Sequence, residues 1–133
     1  MEAITPHRGS AAWQKAVTLA GRVYAATRLL PRDEQAGLGQ RLRASAVSVA
    51  GSIASSLECS RRPDRLLALQ AAQKHLSEAH TLIVIASELG LLSNDTGMRS
   101  DVVEVQAHLN RLRQQLERAN LAAHASACAP QRT

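Results

Sequence analysis

Residues Gly37 to Leu57 read GLGQRLRASAVSVAGSIASSL, and this stretch decides the fold. From Ala44 to Ser56, every residue except Val47, Val49 and Ile53 is Ala, Ser or Gly. A helix with so little side-chain bulk lets neighbouring backbones approach closely on several sides; the logic is best documented in membranes, but the geometry is general. Leu38, Leu42, Val49, Ile53 and Leu57 recur at helical spacing and form one stripe of larger residues among the small ones. The stretch is expected to be the central helix of an all-α bundle.

Working outward, helical periodicity continues on both sides. Ser10 is a fair N-cap for a helix running to about Leu29. Trp13, Val17, Ala20, Tyr24 and Thr27 form one stripe, and Ala16, Val23 and Leu30 an overlapping one. Both aromatic residues thus fall on an apolar stripe and are expected in the core rather than as stacking platforms. Leu30-Pro31 ends this helix, because a residue before proline is pushed out of the helical region. The central helix is expected from about Glu34 to Glu58, its start weakened by Gly37 and Gly39. Pro63 suits the first position of a third helix, which reaches about Leu89 with Leu69, Ala72, Leu76, Ala79, Ile83 and Ala86 on one stripe. Gly90 is placed as its C-cap, and Ser93-Asn94-Asp95 as the N-cap cluster of a fourth helix. Val102, Val105, Leu109, Leu112, Leu116 and Ala119 keep a three-four rhythm along that helix to about Ala122. Four helices with short turns predict a single antiparallel up-down four-helix bundle over residues 10–122, with a loose lead at 1–9 and a frayed tail at 123–133.

Composition bounds the function classes. The chain has 133 residues, 45% hydrophobic but only 2% aromatic, so its single core must be aliphatic. The formal charge of +5 is carried mostly by arginine, Lys15 and Lys74 being the only lysines. Arginine pairs bidentately with carboxylate and phosphate, so an anionic partner such as nucleic acid is one reading. A solvated, arginine-rich surface is the other. The opening MEAITPHRGS lacks an apolar signal core, and the longest apolar run, Thr81 to Ala86, is far too short to span a bilayer. Cys59 and Cys128 fit no paired pattern, so a reducing cytoplasm without membrane contact is the expected setting.

Catalytic and metal chemistry find little support. Di-metal bundles need inward carboxylates and paired Glu-x-x-His motifs; Glu104 with His108 and His75 with Glu78 have other spacings. No nucleophile motif, phosphate-binding loop or nucleotide fingerprint occurs, so neither an enzyme nor a cofactor is expected. The candidates that remain are basic. Arg41 and Arg43 open the central helix, while Arg61, Arg62 and Arg65 surround the turn that follows it. These five are the expected contacts to RNA or DNA phosphates, with Glu34, Glu58, Asp64 and Glu117 as carboxylates able to neutralise them internally. Leu82, Val84, Ile85 and Leu89 spread apolar surface round the end of the third helix and are the expected interface with another subunit.

Several motifs together resemble a known family. Trp13-Gln14-Lys15-Ala16, Leu30-Pro31 followed by Glu34 and Gly37-Leu38, and Gln40-Arg-Leu-Arg-Ala-Ser-Ala-Val-Ser48 occur in order. Ala72, Leu76, Glu78 and the turn Leu89-Gly90-Leu91-Leu92-Ser93 follow at matching spacing. In this the chain is similar to the four-helix-bundle proteins encoded in 23S ribosomal RNA intervening sequences, over about residues 12–120. It departs from their usual central signature, with Ala50 in place of Pro, Ser52 in place of Asn and Ser55-Ser56 in place of Glu-Gly. The resemblance implies a cytosolic, non-enzymatic bundle. Some such proteins form ring-shaped homopentamers, and one branch resembles accessory proteins of diversity-generating retroelements, which join a reverse transcriptase and nucleic acid. The leading expectation is a basic homo-oligomer binding RNA or DNA, beside a protein partner such as a reverse transcriptase. The second is a protein-interaction scaffold with no nucleic-acid affinity.

Overall fold

The computed structural model describes residues 6–93 and 95–127. The lead residues 1–5, the cap position Asn94 and the tail 128–133 with Cys128 lie outside the described residues. Among those described, four long helices and no strand are present: α1 (Ala11–Thr27), α2 (Gln40–Glu58), α3 (Arg62–Glu88) and α4 (Thr96–Ala127). Each packs on the next, and α4 closes against α1, giving an antiparallel up-down four-helix bundle. No described helix is long and apolar enough to cross a membrane.

The core is aliphatic, as the composition requires. Leu19, Leu42, Ile53, Leu76, Ile83, Val23, Val49 and Val105 are fully buried, and Ala16, Ala46, Ala72, Ala79 and Ala86 have no exposure at all. Those alanines are where helices come close enough that nothing larger fits. The α3 stripe read from the sequence is buried throughout. On α1 the buried positions are Ala12, Ala16, Leu19, Val23 and Thr27, so the helix is turned relative to the aromatic stripe. Val17 is 43% and Tyr24 42% exposed, which corrects the expectation that Tyr24 is core. Small residues occupy the seam of α1 because α2 and α4 approach there, and the rings are displaced to its flanks. Trp13 is half-buried, its ring edge-on to His7 with centroids 4.9 Å apart.

The corner between α1 and α2 is built around Gln35. Pro31 is followed by a helical turn, Arg32–Glu34, and a π-helical segment, Gln35–Gly39, that runs directly into α2. The Gln35 amide donates to the carbonyls of Thr27 at 2.8 Å and Leu30 at 3.0 Å, satisfying orphan acceptors at the end of α1. Gly39 is buried, and a Cβ there would meet the Glu34 carbonyl and Leu30, each at 3.2 Å. That crowding explains the glycine at position 39; at Gly37 a Cβ would meet nothing within 4 Å.

The α3–α4 turn is a Schellman motif. Gly90, at φ 70°, donates to the Ser87 carbonyl, and Leu91 donates to the Ala86 carbonyl. Beyond it, Ser87 Oγ donates to Asp95 Oδ2 at 2.7 Å and Arg99 pairs with the same oxygen. The Ser87 hydroxyl, then Arg99, hold the Asp95 carboxyl below its ordinary value of 3.8.

Two outcomes are expected from this turn. Gly90→Ala places a side chain at positive φ and should lower stability by about 1–2 kcal/mol in urea unfolding. Because the folded pKa of Asp95 is depressed, its contribution is present above the unfolded value and lost as pH falls through the folded one. The stability difference between wild type and Asp95→Asn should therefore shrink as pH falls below the ordinary carboxyl value of 3.8.

Candidate functional site

Helix lengths create the site. α1 has 17 residues and α4 has 32, or roughly 25 Å against 48 Å at the usual rise per residue. Val102, Val105 and Leu109 are buried against the other helices, but Leu112 and Leu116 are only half-buried and Ala119 is exposed. The three-four rhythm of α4 thus runs on past the helices that would cover it. α3 begins beside this overhang, and α2 ends there.

Between them lies a cleft of about 290 Å³ whose lining includes Leu57, Leu69, Leu112, Leu116 and Ala119, with Arg62 and Arg65 at its edge. A second hollow of about 240 Å³, sharing Arg62 and Leu116, continues it along Pro63, Leu66 and Asn120. A larger cavity of about 400 Å³ sits at the opposite end, with Arg22, Leu29, Leu91 and Met98 among its lining. Its one cation is spent, because Arg22 Nε lies 3.0 Å from Asp101 Oδ2.

The five arginines singled out from the sequence do not share one surface. Arg41 and Arg61 stand at opposite ends of α2, roughly 30 Å apart. Arg41 pairs with Glu78 at 3.1 Å. Arg43 donates to the Gln35 carbonyl at 3.1 Å and to its side-chain oxygen at 3.3 Å, with its guanidinium 5.9 Å from the Tyr24 ring centroid. It is a clamp on the α1–α2 corner, already occupied. Arg65 donates through Nε to the Cys59 carbonyl, which fixes the α2–α3 turn. Arg61 and Arg62 are exposed, and their guanidinium groups make no ion pair or hydrogen bond among the described residues.

Charge follows the same division. The overhanging end carries Arg8, Arg61, Arg62, Arg65, Arg111, Arg113 and Arg118 against Glu58, Asp64 and Glu117. The other end carries Arg22, Arg28, Arg32, Arg41, Arg43 and Arg99 against Asp33, Glu34, Glu78, Glu88, Asp95 and Asp101, which balance. Glu58 is taken by His7, whose Nδ1 lies 2.8 Å from its Oε1. Asp64 and Glu117 form no ion pair with an arginine among the described residues, and by count the arginines of this end outnumber its carboxylates. Arg113 and Arg118 join Arg61 and Arg62 here, and their offset from Arg62 across antiparallel α3 and α4 is the signal that would have grouped them.

Between α1 and α4, Asp101 is 2% exposed and held by two cations two turns apart on α1. Lys15 Nζ lies 3.3 Å from its Oδ1 and 2.9 Å from Glu104 Oε2. Glu104 first, then Asp101, raise the Lys15 amine above its ordinary value of 10.5. This cluster closes the bundle and leaves no cation over for a ligand. Of the residues expected at a subunit interface, Leu82 is 5% exposed and belongs to the core, Val84 is half-buried, and Ile85 and Leu89 are 43% and 64% exposed. Among the described residues, no three His, Cys, Asp or Glu side chains gather where they could hold a metal ion.

A four-helix bundle with an arginine-rich overhang is the class of molecule these features define. The model of the 23S rRNA-intervening sequence protein family matches residues 8–116, and the chain belongs to that family. No curated protein matches it.

The two kinds of arginine should separate in a stability measurement. Arg43→Ala is expected to cost about 1–2 kcal/mol in urea unfolding, by freeing Gln35. Arg61→Ala/Arg62→Ala should stay within about 0.5 kcal/mol of wild type.

Proposed function

We propose that this chain is a non-catalytic, basic module that binds RNA or DNA phosphates through the overhanging end of its bundle. The observation that carries the reading is the segregation of charge: one end has as many carboxylates as arginines, the other has more arginines than carboxylates. Arg61 and Arg62 are the primary contacts, with Arg113 and Arg118 beside them; Arg65 orders the turn that presents them. Guanidinium groups on a rigid turn lose little freedom when they engage a phosphate. The buried serines are accounted for by packing and by back-bonds, Ser45 to the Arg41 carbonyl and Ser56 to the Ile53 carbonyl, so none is held for chemistry.

The module acts as a homo-oligomer, for which the pentameric ring implied by the family resemblance is the favoured form. A ring would repeat the basic end around one axis, and phosphate contacts would then gain from multivalency. Ile85 and Leu89, exposed at the end of α3, are the apolar residues that support self-association. A reverse transcriptase is the protein partner the resemblance favours. The competing reading, a scaffold without nucleic-acid affinity, draws on those same exposed apolar residues.

Fluorescence anisotropy with a structured RNA and a matched DNA, titrated from low to high salt, tests the proposal. Micromolar or tighter binding should fall linearly on logarithmic axes. Arg61→Ala/Arg62→Ala should weaken it for every sequence and flatten the slope by about 1–2. Absence of binding at the lowest salt would leave the scaffold.

A further inference from the structure

Resting on that reading, we infer that the cleft beside Arg62 and Arg65 receives an unstacked nucleobase, so the overhanging end prefers single-stranded to double-stranded nucleic acid. Three observations converge on the same few residues.

The cleft is apolar and unfilled. Leu57, Leu69, Leu112 and Leu116 wall a space of about 290 Å³, left because α4 outruns the helices that would cover its stripe. That volume admits one heterocycle and excludes a base pair held in a helix. Its mouth is charged in the right sense: Arg62 lines both this cleft and the adjoining hollow, so a phosphate on its guanidinium sets the attached nucleotide over the opening. Its lining is not wholly inert. Gln115 makes no side-chain hydrogen bond among the described residues and offers both a donor and an acceptor. Ser56 Oγ donates to the Ile53 carbonyl at 2.6 Å and keeps its lone pairs.

A nucleobase matches this arrangement, having two apolar faces for the leucine walls and a polar edge for Gln115. A duplex keeps its bases paired and stacked and offers only backbone to so narrow an opening. Leucine walls supply less than an aromatic platform would, and they discriminate little among the four bases. The expected behaviour is a strand preference without a sequence preference.

The test compares three labelled probes of equal length at one low salt concentration: an unstructured single-stranded RNA, its duplex, and an abasic strand of the same phosphate count. The single strand should bind about tenfold tighter than the other two. Ala119→Met, at an exposed helical position on the cleft wall, should push a side chain into the space and obstruct entry of a base. It should bring the single strand down to the duplex affinity and leave the duplex unchanged. Gln115→Ala should erase part of the preference without affecting the fold. Equal binding of all three probes, or a preference that survives Ala119→Met, would overturn the inference and leave phosphate binding standing. No binding of any probe would overturn both, and would leave the cleft to the apolar face of an acidic partner helix.

Discussion

Everything in this bundle depends on how near its helices stand to one another. With no phenylalanine in the chain and its single tyrosine turned outward, the core cannot be filled by large rings. It is filled by bringing backbones together over alanine and serine, with leucine, isoleucine and valine in the gaps. Ser45 and Ser56 are buried with α2's apolar stripe, each returning its hydroxyl to its own helix and so presenting little more than a methyl group's bulk to its neighbours. Close approach has a cost in tolerance: at Ala46 or Ala72, both without exposure, any larger side chain pushes two helices apart.

The bundle itself was legible because its signals are periodic. The α3 stripe, the caps at Ser10 and Gly90, and the break at Leu30-Pro31 all rest on local rules that tertiary contacts had no reason to override. What local rules could not supply was rotation and reach. On α1 two overlapping stripes were available, and hydrophobic size favoured the one bearing Trp13 and Tyr24. Packing buries Ala16, Val23 and Leu30 of the other and only Thr27 of the first, because the space between α2 and α4 accepts Ala12 and Ala16 but not a ring. Leu82 failed as an interface residue for a related reason: α3 is flanked on two sides, so a broad apolar end is partly its own core.

The arginines show a different limit. Charge is visible in a sequence, but pairing is not. Arg41 and Arg43 look like Arg61 and Arg62 as residues, yet Glu78 and the Gln35 corner occupy the first two. The distinction comes from topology, which sends the start and end of α2 to opposite ends of the molecule. Once that is known, the even balance of one end and the excess of the other can be read from residue numbers alone.

The seam between α1 and α4 is unlike the other three. Those join helices that are neighbours in the chain; this one joins the first to the last, and so closes the longest loop. It is also the seam where a buried carboxylate, Asp101, faces Lys15 and Arg22 in place of continuous hydrocarbon. Loop entropy makes it the costliest contact to close, and the burial of Asp101 shields its ion pairs from the surrounding electrolyte more than the exposed Arg41–Glu78 pair on the α2–α3 seam is shielded. The bundle is therefore shut by a charged latch set inside it, at the one seam that no short connection of the chain holds together.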